Sequence, residues 1–292
     1  MKNERKKLLI TGADGFLGVR AAAYFRENQA DAYDVAAYGR RALDITEEKA
    51  VAAVFREERP DLALHLAALS DTGYCQKHPQ ESEKVNVGGS RNVAEGCLAC
   101  GTKLVYMSSD QVYNGCGERC ALPETASLSP QNVYAAHKLA AEEAVSRLLP
   151  DAVGLRLTWM YDRPDSPYRM NRNLLIRLKE AQETGIPVRA SVYELRGVTN
   201  VWEVIRRFPA AFSLPGGIYN FGSENELSFY ETVRAFAGLC GYDADRVVEK
   251  DLRFTRNLSM DLSRLRKYGI DFPASVERKI MKVKEEFNDN PE

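Results

Sequence analysis

The sequence lacks any long apolar run and any strong excess of charge. None of its apolar stretches approaches the ~20 residues that a membrane-spanning helix requires. Its formal net charge is −1, so no basic patch favours nucleic acid as a partner. The basic segment Lys2–Lys7 precedes only Leu8–Ile10, which is too short for the apolar core of a signal peptide. We therefore expect a cytoplasmic protein that binds neither membranes nor nucleic acid.

Histidine is also scarce, and the six cysteines do not form a metal-binding pattern. The chain has three scattered histidines, of which His65 lies in an apolar stretch and is expected to be a hydrogen-bonded core residue. Cys97 and Cys100 fall within a predicted helix, and Cys116 and Cys120 flank a loop. These spacings fit a zinc site poorly, and a cytosolic thiol pool keeps cysteines reduced. We expect no metal ligands among them and no disulfide.

What the chain does carry is a glycine-rich turn directly after its first apolar strand. The segment Thr11–Gly18 opens a helix predicted over Phe16–Asn28. A strand, a tight turn and a helix N-terminus direct backbone N–H groups and the helix dipole at one point, where a pyrophosphate usually binds. Gly12 permits the turn, Gly15 allows close approach of a cofactor, and Gly18 lets the helix pack on the strand. The spacing departs from G-x-G-x-x-G, and a turn without a ligand is the alternative interpretation.

Two arginines after the second predicted strand bear on the choice of nicotinamide cofactor. The strand is predicted over Asp34–Tyr38 and is followed by Arg40 and Arg41 without an acidic residue. An acid at this point binds the ribose 2′-hydroxyl of NAD, whereas arginine accommodates the 2′-phosphate of NADP. The sequence therefore favours NADPH, with NADH possible and solvated arginines as the alternative. Asp44 is a candidate either to reach the adenine or to cap the next helix.

A tyrosine and a lysine supply the predicted chemistry. Tyr134 and Lys138 are four residues apart in a helix predicted over Asn132–Leu149, so both project from one face. An ammonium one turn away is expected to stabilise the phenolate and lower the tyrosine pKa from about 10 toward the working range. Ser109, after the strand predicted over Lys103–Met107, would hydrogen-bond the substrate oxygen. Tyr134 would protonate the developing alkoxide while the cofactor delivers hydride. The pattern predicts a nicotinamide-dependent enzyme acting on a carbon that bears oxygen.

These motifs resemble a known family over most of the chain. An S-T-D-x-V-F/Y-x-G pattern appears as Ser108–Gly115. Shorter L-D-I-T, R-P-D, A-A and V-N-V segments appear around Leu43, Arg59, Ala67 and Val85–Ala94. The chain resembles the extended short-chain dehydrogenase/reductases, and most strongly the dTDP-4-dehydrorhamnose reductase group of sugar-nucleotide reductases.

The resemblance implies a reaction and a set of site residues. The reaction would be NADPH-dependent reduction of a 4-keto-6-deoxy sugar nucleotide, with Ser109, Tyr134 and Lys138 catalytic and a homodimer possible. The candidate cofactor-binding residues, including those argued above, are Gly12, Gly15, Phe16, Leu17, Gly18, Arg40, Arg41, Asp44, Ala67, Ala68, Asn86, Ser108 and Lys138. The candidate substrate-binding residues are Asp110, Gln111, Trp159, Arg196 and Arg256.

Two segments depart from the family pattern. The family's D-Q-x-G-x-P-T reads here as Tyr193–Thr199, which keeps only the threonine and a displaced glycine. The family's R-P-x-N-S-x-L-D reads as Arg253–Asp261, with its arginines out of register. Both segments face the sugar nucleotide in the family, so the substrate is less firmly implied than the cofactor chemistry. Arg253 and Arg256 are candidates to meet a diphosphate, with solvated arginines as the alternative.

Two other functions remain open from the sequence. One is a sugar-nucleotide epimerase or dehydratase of the same superfamily. Dehydratases place Asp-Glu after the active-site Ser or Thr, whereas Gln111 follows Asp110 here. Epimerases often run from V-Y directly to glycine, whereas Asn114 intervenes here. The other is a non-catalytic NADP-binding subunit resembling the regulatory subunit of methionine adenosyltransferase, and the intact catalytic residues argue against it.

Strands and helices alternate along the chain, which predicts an α/β fold. The 292 residues include 45% hydrophobic and 28% charged side chains, which is ordinary for a globular protein. Alternation favours a Rossmann-like, doubly wound parallel sheet with helices on both faces. We expect residues 1–155 to form the NADP-binding domain, with strands returning near 186–222. Residues 156–292 would form a smaller, mainly helical substrate-binding lobe, with helices over Leu174–Glu183, Ser228–Leu239 and Ala274–Phe287.

Overall fold

A fully parallel sheet forms the centre of the computed structural model, which describes residues 5–276. Its six strands follow the order β2-β1-β3-β4-β5-β9. The strands of the chain are β1 (Lys6–Thr11), β2 (Tyr33–Tyr38), β3 (Leu62–His65), β4 (Lys103–Ser109), β5 (Val153–Leu157), β6 (Trp159–Tyr161), β7 (Val188–Arg196), β8 (Val198–Asn200), β9 (Gly217–Phe221) and β10 (Val248–Leu258). The predicted Rossmann-like α/β fold is confirmed.

Helices connect the parallel strands. They are α1 (Phe16–Asn28), α2 (Glu48–Glu58), α3 (Thr72–Lys77), α4 (Pro79–Glu83), α5 (Ser90–Cys100), α6 (Val133–Leu148), α7 (Leu174–Thr184), α8 (Val201–Ile205), α9 (Phe208–Ala211), α10 (Phe229–Leu239), α11 (Ala244–Val247) and α12 (Ser263–Arg266). A π-helical turn spans Lys84–Gly89, and a 3₁₀ turn spans Asp110–Tyr113. Within residues 5–276, none of the helices is long and apolar enough to span a membrane.

Both faces of the central sheet are covered by helices, and the middle of β1 is apolar on both faces. In β1, Leu8 and Ile10 pack in one apolar cluster with Phe25 of α1. Leu9 points to the opposite face and packs with Phe55 of α2 in a second cluster. Successive strand residues point to opposite faces of a sheet, so a strand covered by helices on both sides favours apolar residues at successive positions.

The C-terminal lobe contains more strand than the sequence indicated. We expected a strand at Val188–Ala190 to return to the central sheet, and this is wrong, since β7 pairs with β10 in a separate two-stranded sheet. The sixth place in the central sheet is taken by β9, which pairs with β5 as expected for Gly217–Phe221. Strands β6 and β8 form another pair. The helix expected at Ala274–Phe287 lies largely outside the described residues, and the boundary at residue 155 stays a prediction.

Candidate active site

Two adjoining cavities open at the carboxyl ends of the central strands. The larger one, about 700 Å³, is bordered by Ser109, Tyr134 and Lys138. The smaller one, about 430 Å³, is bordered by Gly12 and Arg40 among others. Residues that border both cavities are Gly15, Phe16, Leu66, Ala68, Ser70 and Asn171. Ligands of doubly wound sheets bind at this edge, so the two cavities form one candidate site.

The glycine turn has no room for side chains. Gly12 has a φ of +68°, and a Cβ atom there would lie 2.5 Å from the backbone nitrogen of Ala67. A Cβ atom on Gly18 would lie 2.0 Å from the carbonyl oxygen of Gly12. Helix α1 begins after Gly15 without a side-chain cap, so its first-turn N–H groups are available to an anion. Phe16 and Leu17 belong to that first turn, as the predicted pyrophosphate site requires.

The two arginines after β2 are not equivalent. Arg40 borders the smaller cavity, whereas Arg41 is exposed and does not border either cavity. Asp44 borders the smaller cavity too, and its Oδ1 accepts hydrogen bonds of 2.9 and 2.8 Å from the backbone and hydroxyl of Thr46. These bonds lower the pKa of Asp44. Because α2 starts after Glu47, Asp44 does not cap that helix.

Asn86 was predicted to contact the cofactor, but the structure gives it another partner. It is fully buried in the π-helical turn and borders neither cavity. Its side chain accepts from the backbone N–H of Leu69 and donates to the carbonyl oxygen of Leu69, both at 3.0 Å. Ala67 and Ala68, which precede Leu69, border the cavities. Asn86 therefore fixes the loop that forms the cavity wall.

The predicted catalytic side chains lie around one space. Helix α6 is capped by Asn132, whose Oδ1 accepts from the N–H of Ala135 at 2.8 Å. This start places Tyr134 and Lys138 on the helix face that meets the end of β4. Both side chains are buried, and Ser109 at the end of β4 borders the same cavity. The Nζ atom of Lys138 lies 5.9 Å from the ring centroid of Tyr134.

The protonation states differ from those expected. Burial raises the pKa of Tyr134, and the hydrogen bond with Ser109 opposes that rise. The net shift is therefore upward, opposite to the lowering expected from Lys138, whose Nζ atom donates to the carbonyl oxygen of Met107 at 2.9 Å. Burial lowers the pKa of Lys138 from 10.5 to about 8, against the opposing charge of Glu142. The free enzyme therefore holds a neutral phenol beside a lysine that titrates near neutral pH.

Ser108, a predicted cofactor-binding residue, donates its hydroxyl to Glu142 instead. The acceptor is Oε1 of Glu142. The two carboxylate oxygens of Glu142 also accept hydrogen bonds of 2.9 and 2.7 Å from the guanidinium of Arg156. Ser108 still borders the larger cavity. Its hydroxyl therefore bonds a buried ion pair, whereas the Ser109 hydroxyl donates to Oδ1 of Asp110 and accepts from the N–H of Gln111, both at 3.2 Å.

The substrate side of the larger cavity contains a buried ion network. Asp110 accepts from Nη2 of Arg196 at 3.1 Å. Glu194 lies 3.5 Å from Nη1 of Arg196 and also pairs with Arg256. Arg256 in turn donates to Oε1 of Gln111 at 3.4 Å. The segments that depart from the family pattern thus meet the predicted substrate residues directly.

Burial raises the pKa of Asp110, while the charges of Arg196 and Arg256 oppose that rise. Glu194 was not predicted as a site residue, although it is almost completely buried and borders the cavity. Of the two arginines suggested for a diphosphate, Arg256 borders the larger cavity and Arg253 borders neither cavity.

Trp159 is covered by two guanidinium groups. Cζ of Arg196 lies 5.1 Å from its ring centroid, and Cζ of Arg177 lies 5.8 Å from it. Burial, and then the neighbouring charge of Arg172, lower the pKa of Arg177. Sequence reasoning missed Arg177. The available signal was its place on the buried face of α7, between the buried Leu174 and other apolar residues at helical spacing.

His65 is a satisfied core residue, as expected. Its Nδ1 lies 2.7 Å from Oγ1 of Thr11 and its Nε2 lies 3.1 Å from Oγ of Ser90. Burial, with a smaller effect of Lys138, lowers its pKa to about 3. The six cysteines are free thiols. Across residues 5–276, no group of three or more His, Cys, Asp or Glu side chains is arranged to hold a metal ion.

Comparison with known proteins assigns the chain to a family. The sequence profile of the RmlD substrate binding domain matches residues 6–252. A dTDP-4-keto-6-deoxy-D-glucose reductase of Streptomyces niveus is 31% identical, over 82% of this chain and 80% of the relative. A probable dTDP-4,6-dihydroxy-2-methyloxan-3-one 4-ketoreductase of Streptomyces antibioticus is 34% identical, over 82% of this chain and 79% of the relative.

Solved structures share the fold. A dTDP-4-dehydrorhamnose reductase of Bacillus anthracis, crystallised with NADP, superposes with a TM-score of 0.84 at 22% identity, over 98% of this chain and 100% of the other. A UDP-glucose 4-epimerase of Thermus thermophilus, crystallised with NAD, gives 0.77 at 22% identity, over 95% of this chain and 99% of the other. From the profile match and the two Streptomyces relatives, we conclude that the chain belongs to the RmlD substrate-binding domain family.

Proposed function

We propose that the protein is an NADPH-dependent reductase of the 4-keto group of a 4-keto-6-deoxy sugar nucleotide. The observation that carries this proposal is the convergence of Ser109, Tyr134 and Lys138 on one cavity that adjoins the glycine turn. The two Streptomyces relatives, both at least 31% identical over 82% of the chain, are named as reductases of dTDP-linked keto sugars. Their names support a deoxythymidine diphosphate sugar as the first substrate to test.

The smaller cavity fits a dinucleotide carrying phosphate groups. Gly12 and Gly18 leave the backbone bare where a pyrophosphate approaches, and the first turn of α1 is free of a side-chain cap. Arg40 borders the cavity at the end of β2, where a 2′-phosphate is recognised in this fold. These features support NADPH over NADH. Bound NADPH would supply the hydride that the carbonyl carbon accepts.

The raised pKa of Tyr134 suits the reductive direction. A neutral phenol holds the proton that the developing alkoxide must receive, so burial favours the reactive form before the reaction. Ser109 donates a hydrogen bond to the carbonyl oxygen and holds it beside the phenol. Once the proton has moved, the ammonium of Lys138, 5.9 Å from the ring centroid of Tyr134, stabilises the phenolate. The phenol is neutral before the reaction and gains negative charge as its proton leaves, so the lysine contributes mainly to the rate.

Replacement of one hydroxyl tests the assignment. Tyr134→Phe should keep NADPH affinity within about twofold and lose reduction by roughly 10²- to 10⁴-fold, the usual contribution of a general acid. The assay follows NADPH oxidation with a dTDP-4-keto-6-deoxyhexose. Tyr106→Phe is the matched control, because Tyr106 is buried and borders neither cavity. Activity in Tyr134→Phe equal to that of the control would refute the role of the phenol.

Cofactor retention separates the reductase from the alternatives. A reductase exchanges its cofactor at each turnover, so the purified protein should take up added NADPH reversibly. An epimerase should retain bound NAD through purification. A regulatory subunit should bind NADPH without turnover of any keto-sugar nucleotide. A homodimer and a cytoplasmic location stay predictions, which light scattering and cell fractionation address.

A further inference from the structure

The loop that follows β6 reaches both cavities. Residues 162–173 connect β6 to α7 in the C-terminal lobe. Arg169 and Met170 border the smaller cavity, beside Gly12 and Arg40. Asn171 borders both cavities. A segment from the substrate-binding lobe therefore forms part of the wall of the predicted cofactor site.

This loop is tied to the helix that begins at the glycine turn. Arg20 of α1 is completely buried, and its Nε donates to Oδ2 of Asp162 at 2.7 Å. Its Nη1 donates to the carbonyl oxygen of Arg169 at 2.9 Å and to that of Phe16 at 2.7 Å. A buried ion pair with these additional acceptors holds one geometry. The loop and the first turn of α1 therefore have a fixed relative position.

Arg169 differs from the other arginines of the loop. Arg163 pairs with Asp165 at 2.8 Å, and Arg172 pairs with Glu180 at 2.8 Å. Among residues 5–276, no carboxylate lies in salt-bridge range of Arg169. Its Nη1 donates to the backbone oxygen of Asp14 at 3.1 Å, one residue before the N-cap of α1. The Arg169 side chain is exposed and borders the smaller cavity.

We propose that Arg169 contacts the pyrophosphate of the bound dinucleotide and links it to the substrate-binding lobe. The inference rests on the proposed cofactor. A guanidinium beside a helix N-terminus reinforces a phosphate site, because both supply charge-assisted donors. Arg169 is next to the glycine turn that receives the pyrophosphate, whereas Arg40 lies at the end of β2 where the 2′-phosphate is read. The two arginines thus serve different phosphates of the same cofactor.

The proposal has a consequence for substrate binding. Asn171 and Arg172 border the larger cavity and lie two and three residues after Arg169 in the chain. A dinucleotide that binds Arg169 orders these neighbours and so prepares the wall that the substrate meets. The cofactor should therefore raise substrate affinity, and the effect should depend on Arg169. Couplings between two sites in one protein commonly change affinity about 5-fold or more.

Calorimetric binding to the full chain tests the cofactor contact. Arg169→Met should weaken NADPH and NADH equally, by roughly 10-fold, because both carry the pyrophosphate. Arg163→Met is the matched control from the same loop and should leave both affinities within about twofold. Equal affinities in Arg169→Met and Arg163→Met would overturn the proposal. Weakening of NADPH alone would overturn the pyrophosphate assignment and place Arg169 at the 2′-phosphate.

A second measurement tests the link to the lobe. The affinity for dTDP is measured with and without saturating NADP⁺ in the wild-type protein and in Arg169→Met. The wild-type protein should bind dTDP at least about 5-fold more tightly with NADP⁺, and the variant should lose this gain. An equal gain in both proteins would overturn the link. A wild-type protein that binds no dinucleotide would overturn the proposed function itself, a result distinct from an inert Arg169.

Discussion

Replacement of Lys138 should make the protein more stable while making it less active. Lys138 carries its charge in a buried position, and its pKa of about 8 lies below the usual 10.5 because the charged form loses hydration. One pKa unit corresponds to about 1.4 kcal/mol, so the charged form costs folding about 3 kcal/mol at neutral pH. Lys138→Met also loses the hydrogen bond to the carbonyl oxygen of Met107, a loss of about 1 kcal/mol. The expected net gain in the free energy of unfolding of Lys138→Met is about 2 kcal/mol.

The lowered pKa of Lys138 determines how the stability difference between Lys138→Met and the wild-type protein depends on pH. Below pH 8 the lysine is charged in both the folded and the unfolded chain, so the full cost is present. Between about 8 and 10.5 the folded protein releases the proton first, and the cost declines as pH rises. The extra stability of Lys138→Met should therefore be largest at pH 7 and much smaller at pH 9.5. The wild-type protein should approach the variant in stability over this range.

Thermal unfolding at the two pH values measures the difference. For a chain of 292 residues, a gain of about 2 kcal/mol corresponds to about 3 °C in Tm. Lys179→Met is the control, because Lys179 is exposed on α7 and its replacement should change Tm little at either pH. A Lys138→Met variant less stable than the wild-type protein at pH 7 would refute the reasoning. A gain of the same size at pH 9.5 would refute it equally.

Three further perturbations have distinct expected outcomes. Arg40→Met should weaken the affinity for NADPH by about tenfold and the affinity for NADH little. Arg41→Met should change neither affinity, because of these two arginines only Arg40 borders the smaller cavity. Fluorescence titration with both cofactors measures these affinities. Glu142→Ala should destabilise the fold by about 3–5 kcal/mol in urea unfolding, because it leaves the charge of Arg156 buried without its partner. Gly12→Ala should abolish cofactor binding in the same titration, since its Cβ atom would collide with backbone 2.5 Å away.

Local sequence patterns predicted the parts of the site that depend on neighbours in the chain. The glycine turn follows from three glycines between a strand and a helix. Tyr134 and Lys138 share a helix face because they are four residues apart. Sequence patterns likewise indicated strands β2 and β4 and helices α1 and α6. For such features, the spacing of residues in the sequence is enough to predict which side chains lie close together.

Other parts depend on contacts between distant segments, and sequence reasoning missed them. Arg20 meets Asp162 across 142 residues, and nothing near either residue indicates the pair. Asn86 carries a family motif, and its amide binds the backbone of Leu69, 17 residues earlier in the chain. The partner of β7 is β10, about 60 residues later. Strand pairing of that kind depends on which apolar faces pack together. It cannot be predicted from the order of the segments in the chain.

The separate core of the C-terminal lobe has a consequence for how the protein can change over time. Glu194 and Arg256 are carried by β7 and β10, which pack on an apolar cluster that shares no residue with the clusters beneath the central sheet. Tyr134 and Lys138 belong to α6, on the central sheet. Substitutions in this cluster can therefore change the shape of the cavity wall while leaving the apolar packing beneath the central sheet intact. Divergence confined to the wall would produce new sugar preferences from an unchanged reaction, and the two departures from the family pattern both lie in this region.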